Sequence, residues 1–76
     1  MLDELAHIKL HLAAHLEIDV DIIEDDTPIA ELGADSLDVV EFLTKLEELY
    51  GVYVPDEDIL SLKTPRLVAE YIDRYR

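Results

Sequence analysis

The stretch Gly33-Ala34-Asp35-Ser36-Leu37-Asp38-Val39-Val40 sets a glycine, an aspartate and a serine directly ahead of an apolar, helix-like run. Ser36 is therefore a small hydroxyl presented at the front of a helix. Three chemistries suit such a residue: nucleophilic catalysis, covalent modification, or helix capping. A nucleophile needs a base within hydrogen-bond reach. All three histidines lie on the first predicted helix and no G-x-S-x-G turn surrounds Ser36, so an enzyme is not expected. Capping is the common role of a serine at a helix start. Modification is equally compatible, because the free N–H groups of a helix N-terminus favour a phosphate ester. The flanking carboxylates of Asp35 and Asp38 would then be handles for a basic modifying enzyme. The local pattern leaves capping and modification both open.

Other candidate groups are weaker. His7, His11 and His15 recur every four residues and share a helix face with Glu4. Three positions at i, i+4 and i+8 drift around a helix, so they do not converge well on one ion. The reading is a solvated polar face with no metal site assigned, and adventitious zinc or nickel binding by a metal-responsive helical protein is the alternative. Asp19 to Asp26 has the acidity of a calcium loop, but an EF-hand needs an oxygen ligand at its fifth position and glycine at its sixth, where Ile23 and Glu24 stand. Tyr50, Tyr53, Tyr71 and Tyr75 read as core-edge aromatics with a polar tip.

The composition narrows the rest. The chain has 76 residues and is read as one domain spanning 1–76. A domain this size buries only about 60% of its unfolded surface, too little for a deep, closed active site. Half of the residues are apolar, which is enough for a core. The net charge of −13 disfavours nucleic acid and anionic membranes and favours partners with basic surfaces. Cysteine is absent, which excludes disulfides and thiolate chemistry by the chain itself. No apolar run is long enough to suggest a membrane span, and the acidic start is unlike a targeting segment. The expected setting is the cytoplasm.

The elements that must position Ser36 are helical. A first helix is predicted over roughly 2–16, with Leu5, Ile8, Leu12 and Leu16 on one stripe, Leu2 at its edge, and Asp3 and Glu4 in the first turn. The long connection to Ala34 keeps many aliphatics and is expected to pack down; long loops of this kind are usually functional. The second helix begins with Asp35 as N-cap and Asp38 at N3, runs to Tyr50 and stops at Gly51. A short turn over Asp56 to Leu60 follows. Thr64 and Pro65 then open a last helix with Leu67, Val68, Tyr71, Ile72 and Tyr75 as its apolar face, and Arg74 and Arg76 at its negative end. The expected fold is all-α, a small four-helix bundle of three longer helices and one short one with a long first loop.

On the second helix Val39, Phe42, Leu43, Leu46, Leu49 and Tyr50 share a core-facing arc, while Asp38, Glu41, Lys45 and Glu48 face solvent. Leu37 falls outside the core arc among Thr44, Glu41 and Glu48, and Val40 sits at the margin. An apolar anchor inside a charged rim has the form of an interaction surface. The alternative is that Leu37 packs beneath the long loop as a hydrophobic staple.

The segment from Glu31 to Asp58, carrying Leu-Gly-Ala-Asp-Ser-Leu-Asp, then Val-Glu, Leu-Glu-Glu and Val-Pro-Asp-Glu, resembles the centre of acyl carrier proteins, and the helix plan of that family covers the whole chain. The resemblance implies that Ser36 bears 4'-phosphopantetheine as a phosphodiester, derived from coenzyme A, whose thiol holds acyl groups as thioesters. It implies a partner surface of Asp35, Leu37, Asp38, Val40, Glu41, Glu47 and Glu48, read by a phosphopantetheinyl transferase that brings its own Mg²⁺ and by basic acyl-transfer and chain-elongation enzymes. It implies an acyl-chain lining of Phe42, Leu46, Ile59, Leu62, Val68 and Ile72, and a monomer that docks serially. Several residues depart from the fatty-acid pattern: Thr44, Lys45 (placed to pair with Glu41), Pro28-Ile29 and Tyr53. These favour a specialised polyketide, lipid or secondary-metabolite carrier over generic fatty acid synthesis. A peptidyl carrier, or a helical interaction module that is never modified, are the alternatives.

Overall fold

The computed structural model describes residues 4–76, so the expectations for Leu2 and Asp3 lie outside the described residues. Within them the chain forms four helices and no strand: α1 (Glu4–Leu16), α2 (Ser36–Tyr50), α3 (Asp56–Ile59) and α4 (Pro65–Tyr75). The connection between α1 and α2 contains two 3-10 turns, Val20–Ile22 and Ile29–Leu32. Helix α1 packs against both α2 and α4. The rings of His11 and Tyr50 meet edge to face at 6.4 Å, and those of His15 and Phe42 meet at 6.1 Å, so α1 and α2 run antiparallel.

Local chemistry explains each boundary. Asp35 caps α2 in a reciprocal capping box: its Oδ1 accepts the Asp38 N–H at 2.9 Å, while Asp38 Oδ2 accepts the Asp35 N–H at 3.1 Å. Gly51, at φ 68°, ends the helix in the left-handed region. Thr64 Oγ1 accepts the Leu67 N–H at 3.2 Å and Pro65 takes the first helical position of α4. The end of α1 is less comfortable. Ile18 donates its N–H to Ala13 C=O at 3.0 Å across a left-handed residue, which is Glu17 at φ 57° instead of glycine. The left-handed conformation costs a residue with a Cβ about 1–2 kcal/mol, partly offset by the extra freedom glycine gives the unfolded chain. Glu17→Gly is therefore expected to raise the melting temperature by about 4 °C. An unchanged or lowered melting temperature on thermal denaturation followed by circular dichroism would contradict this account of the turn.

The core is built from Ile8, Leu12 and Ala13 of α1, Phe42, Leu43 and Leu46 of α2, and Val68, Ala69 and Ile72 of α4. Ile23, Ile29 and Ala34 of the long loop join it, so that loop packs down as expected, although Ile22 points outward. Three residues assigned to apolar faces are exposed: Leu49 at 55%, Leu67 at 39% and Tyr75 at 57%. Their angles on the helix are suitable, but each sits in a terminal turn, where the neighbouring helices no longer cover the face. The histidines depart from the expected solvated face in the other direction. All three are half-buried, with His11 and His15 resting on α2 rings. Leu37 is 63% exposed, which removes the staple reading.

Two polar networks pin the loop and the last helices. Lys9 Nζ donates to Asp25 Oδ1 at 2.7 Å, and Arg66 reaches Asp26 Oδ1 through Nε at 2.8 Å and Asp25 Oδ2 through Nη2 at 3.4 Å. The Arg66 backbone N–H also donates to Asp25 C=O at 2.9 Å. On the other side, Tyr71 donates its hydroxyl proton to Asp58 Oδ2 at 2.8 Å, joining α4 to α3.

Each network predicts a direction of pH dependence. The Lys9 hydrogen bond holds the Asp25 carboxyl below its ordinary value of 3.8, so its contribution to stability is intact above that value and disappears as the pH falls through the lowered one. Partial burial and the Asp58 carboxylate push the Tyr71 phenol up to about 12. Its contribution is intact below the ordinary value of 10.0 and is lost as the pH rises toward about 12. Tyr71→Phe is thus expected to flatten the alkaline limb of a stability–pH curve and to leave the acid limb unchanged. Retention of the alkaline limb would assign it to another group.

Candidate functional site

Ser36 occupies the first helical position of α2 and is exposed. Because Asp35 is the cap, the serine hydroxyl has no capping duty, and among the described residues it enters no hydrogen bond. Every other serine or threonine hydroxyl is engaged. Ser61 donates to Asp58 C=O at 2.8 Å and Thr44 to Val40 C=O at 2.9 Å. Thr27 accepts the Glu24 N–H and Thr64 accepts that of Leu67. The approach to Ser36 is set by Gly33, whose φ of 91° turns the chain out of the second 3-10 turn and into the cap.

Beside Ser36 opens a groove of about 410 Å³ between the loop, α2 and the segment from α3 to α4. Pro28, Ile29 and Ala30 form one wall, Val39 and Val40 the second, and Ile59, Leu60 and Leu62 the third, with Lys63 and Ser36 at its margin. The loop wall is held by the Ile29 N–H donating to Lys63 C=O at 2.8 Å. Of the acyl-chain lining expected from resemblance, Ile59 and Leu62 border this groove. Phe42, Leu46, Val68 and Ile72 do not, being committed to the core at 0–3% exposure. Pro28 and Ile29, noted only as departures, supply a wall that pattern reading missed; their position in an apolar loop just before Ser36 was the available signal.

The remaining candidates divide. Asp35, Leu37, Val40, Glu41 and Glu48 are exposed, and Asp38 is half-buried. Leu37 at 63% and Val40 at 39% exposure form apolar ground next to Ser36, with carboxylates around it. Glu47 is half-buried and carries a contact within the fold: its Oε2 accepts the Val54 N–H at 2.6 Å and anchors the segment after α2. The expected Glu41–Lys45 pair is not among the ion pairs of the described residues; both side chains stand in solvent, where holding two long chains together gains little. The three imidazoles do not form a common ligand set among the described residues.

Residues 6–72 match the family model described as "Phosphopantetheine attachment site". The chain belongs to the acyl carrier protein family. It is 34% identical to an acyl carrier protein of Zymomonas mobilis subsp. mobilis, over all of this chain and 99% of that one. It is 43% identical to the acyl carrier protein of Campylobacter jejuni subsp. doylei over 91% of each chain, and 42% identical to that of Syntrophobacter fumaroxidans over 80% and 76%. The cofactor of this acyl carrier family is covalently attached 4'-phosphopantetheine. The geometry fits such a group: an accessible, uncommitted hydroxyl stands at a helix N-terminus suited to a phosphate, beside an apolar groove suited to a chain. No helix among the described residues is long and apolar enough to cross a membrane.

Proposed function

We propose that Ser36 is the attachment point and that the protein, one carrier domain over residues 1–76, is a non-enzymatic shuttle for acyl intermediates. The observation that carries this reading is that Ser36 holds the one serine or threonine hydroxyl outside any hydrogen bond among the described residues, at the mouth of the groove. When bound, the phosphopantetheine arm supplies the thiol that this cysteine-free chain lacks, and acyl groups ride on it as thioesters. The chain's own part is to present the oxygen, to receive the phosphate near the open N–H end of α2, and to shelter apolar cargo against Ile29, Val39, Ile59 and Leu62. No imidazole among the described residues hydrogen-bonds Ser36, which suits a serine that is modified by another enzyme.

Delivery goes to fatty-acid, polyketide or related lipid biosynthetic enzymes, in the cytoplasm and as a monomer. Lys45, Thr44 and Tyr53 favour the specialised end of that range. Docking uses Asp35, Leu37, Asp38, Val40, Glu41 and Glu48 against basic patches, with Glu47 assigned to the fold. The test is intact mass after incubation with coenzyme A, Mg²⁺ and a broad-specificity phosphopantetheinyl transferase, followed by peptide mapping. One phosphopantetheine on the peptide containing Ser36 is expected. Glu48→Lys should slow the modification and weaken its dependence on salt, since a rim charge acts mainly on the association rate. Modification at another hydroxyl, or none on folded protein, overturns the assignment.

A further inference from the structure

The antiparallel packing of α1 on α2 brings the last turn of one helix beside the first turns of the other. We infer that His15 of α1, with Asp38 and Glu41 of α2, forms a binding site for one borderline divalent transition-metal ion such as Zn²⁺. One ligand atom from each of these three side chains lies within 4.8 Å of the other two. Bonds of about 2.0–2.2 Å from nitrogen and oxygen to tetrahedral zinc place ligand atoms about 3.4 Å apart, so closing the site takes only a small side-chain adjustment.

The three groups are prepared differently. His15 is half-buried and its ring is tilted against Phe42 at 6.1 Å, which restrains the imidazole on the α2 side of α1. Asp38 is held by its cap bond through Oδ2, leaving Oδ1 without a hydrogen-bond partner among the described residues. Glu41, one turn further on, is exposed and unpaired by Lys45, so it is the member that can swing inward. One nitrogen and two carboxylate oxygens suit zinc, with water completing the shell, whereas Mg²⁺ and Ca²⁺ prefer sites made of oxygen alone. His7 and His11 take no part, being placed along α1 away from the start of α2. The site crosses between two helices that sequence spacing treats separately, and it is independent of whether Ser36 is modified.

The test is calorimetric titration of the unmodified, tag-free protein with Zn²⁺ under a millimolar excess of Mg²⁺, which saturates unspecific attraction to the acidic surface. One Zn²⁺ per chain is expected. His15→Ala and Glu41→Gln should each weaken binding about tenfold or more, since even outer-shell partners are worth 10–100-fold. His7→Ala should leave it unchanged. Because His15 also packs on Phe42, circular dichroism must show His15→Ala to be folded; Glu41→Gln, in an exposed position, gives the same answer without that risk. Binding undiminished in Glu41→Gln, or weakened equally by His7→Ala, overturns the site.

Discussion

Ser36→Ala is expected to abolish phosphopantetheine attachment completely while leaving the melting temperature within a few degrees of the wild type. The two halves of this expectation have separate causes. The first follows from the hydroxyl inventory: Ser61 and Thr44 donate hydrogen bonds that esterification would remove, and Thr27 and Thr64 accept the backbone N–H bonds of a turn and of the α4 cap, so each is committed to the fold. The second follows from the cap. Asp35, and not Ser36, satisfies the Asp38 N–H, and Asp38 returns the bond. Removing an exposed, unbonded oxygen leaves that box intact, and exposed substitutions of this kind stay within about 0.5 kcal/mol. Intact mass and thermal melting on the same preparation check both halves. A mass gain that persists in the variant would move the attachment elsewhere, and a large drop in melting temperature would mean that Ser36 serves the fold.

Phe42→Ala should have the opposite profile, with stability collapsing before any site chemistry is touched. Phe42 is fully buried, and its loss leaves a cavity between α1, α2 and α4 that costs about 3–5 kcal/mol. A domain of this length has about 4–11 kcal/mol in total, at about 0.05–0.15 kcal/mol per residue. The net charge of −13 leaves little in reserve at low salt. The melting temperature should fall by about 20 °C or more, or the transition should lose its cooperativity. Leu37→Ala, five residues earlier and 63% exposed, is the control and should hardly move it. A Phe42→Ala melt within a few degrees of wild type would mean that the core closes around the deletion. Stability is thus concentrated behind α2, and the residues proposed for docking stand in front of it, on one helix.

Much of this arrangement is legible in the order of residues alone. Asp35 and Asp38 three apart, Gly51 after an apolar run, and Thr64-Pro65 ahead of another are local signals, and each acts through hydrogen bonds within one turn. Helix boundaries therefore follow from sequence, as does the placement of Ser36 at the front of α2 and of Leu37 off the core face. Even the exception at Glu17 is local; its left-handed φ was unannounced because glutamate is not the residue that usually takes it.

What only the tertiary structure decided depends on contacts between segments far apart in the chain. Helical angle alone sent Leu49, Leu67 and Tyr75 inward, but whether a terminal turn is covered depends on where the neighbouring helices stop. The groove beside Ser36 is closed by Pro28 and Ile29 because the Ile29 N–H finds Lys63 C=O, a bond across more than thirty residues that no local pattern encodes. Glu47 could be read as surface until Val54 folded back onto it. His15 belongs to a polar stripe by spacing, and to Asp38 and Glu41 only once α1 lies antiparallel on α2. Short-range hydrogen bonds wrote the elements; burial and the few long-range polar contacts chose which of their faces meet.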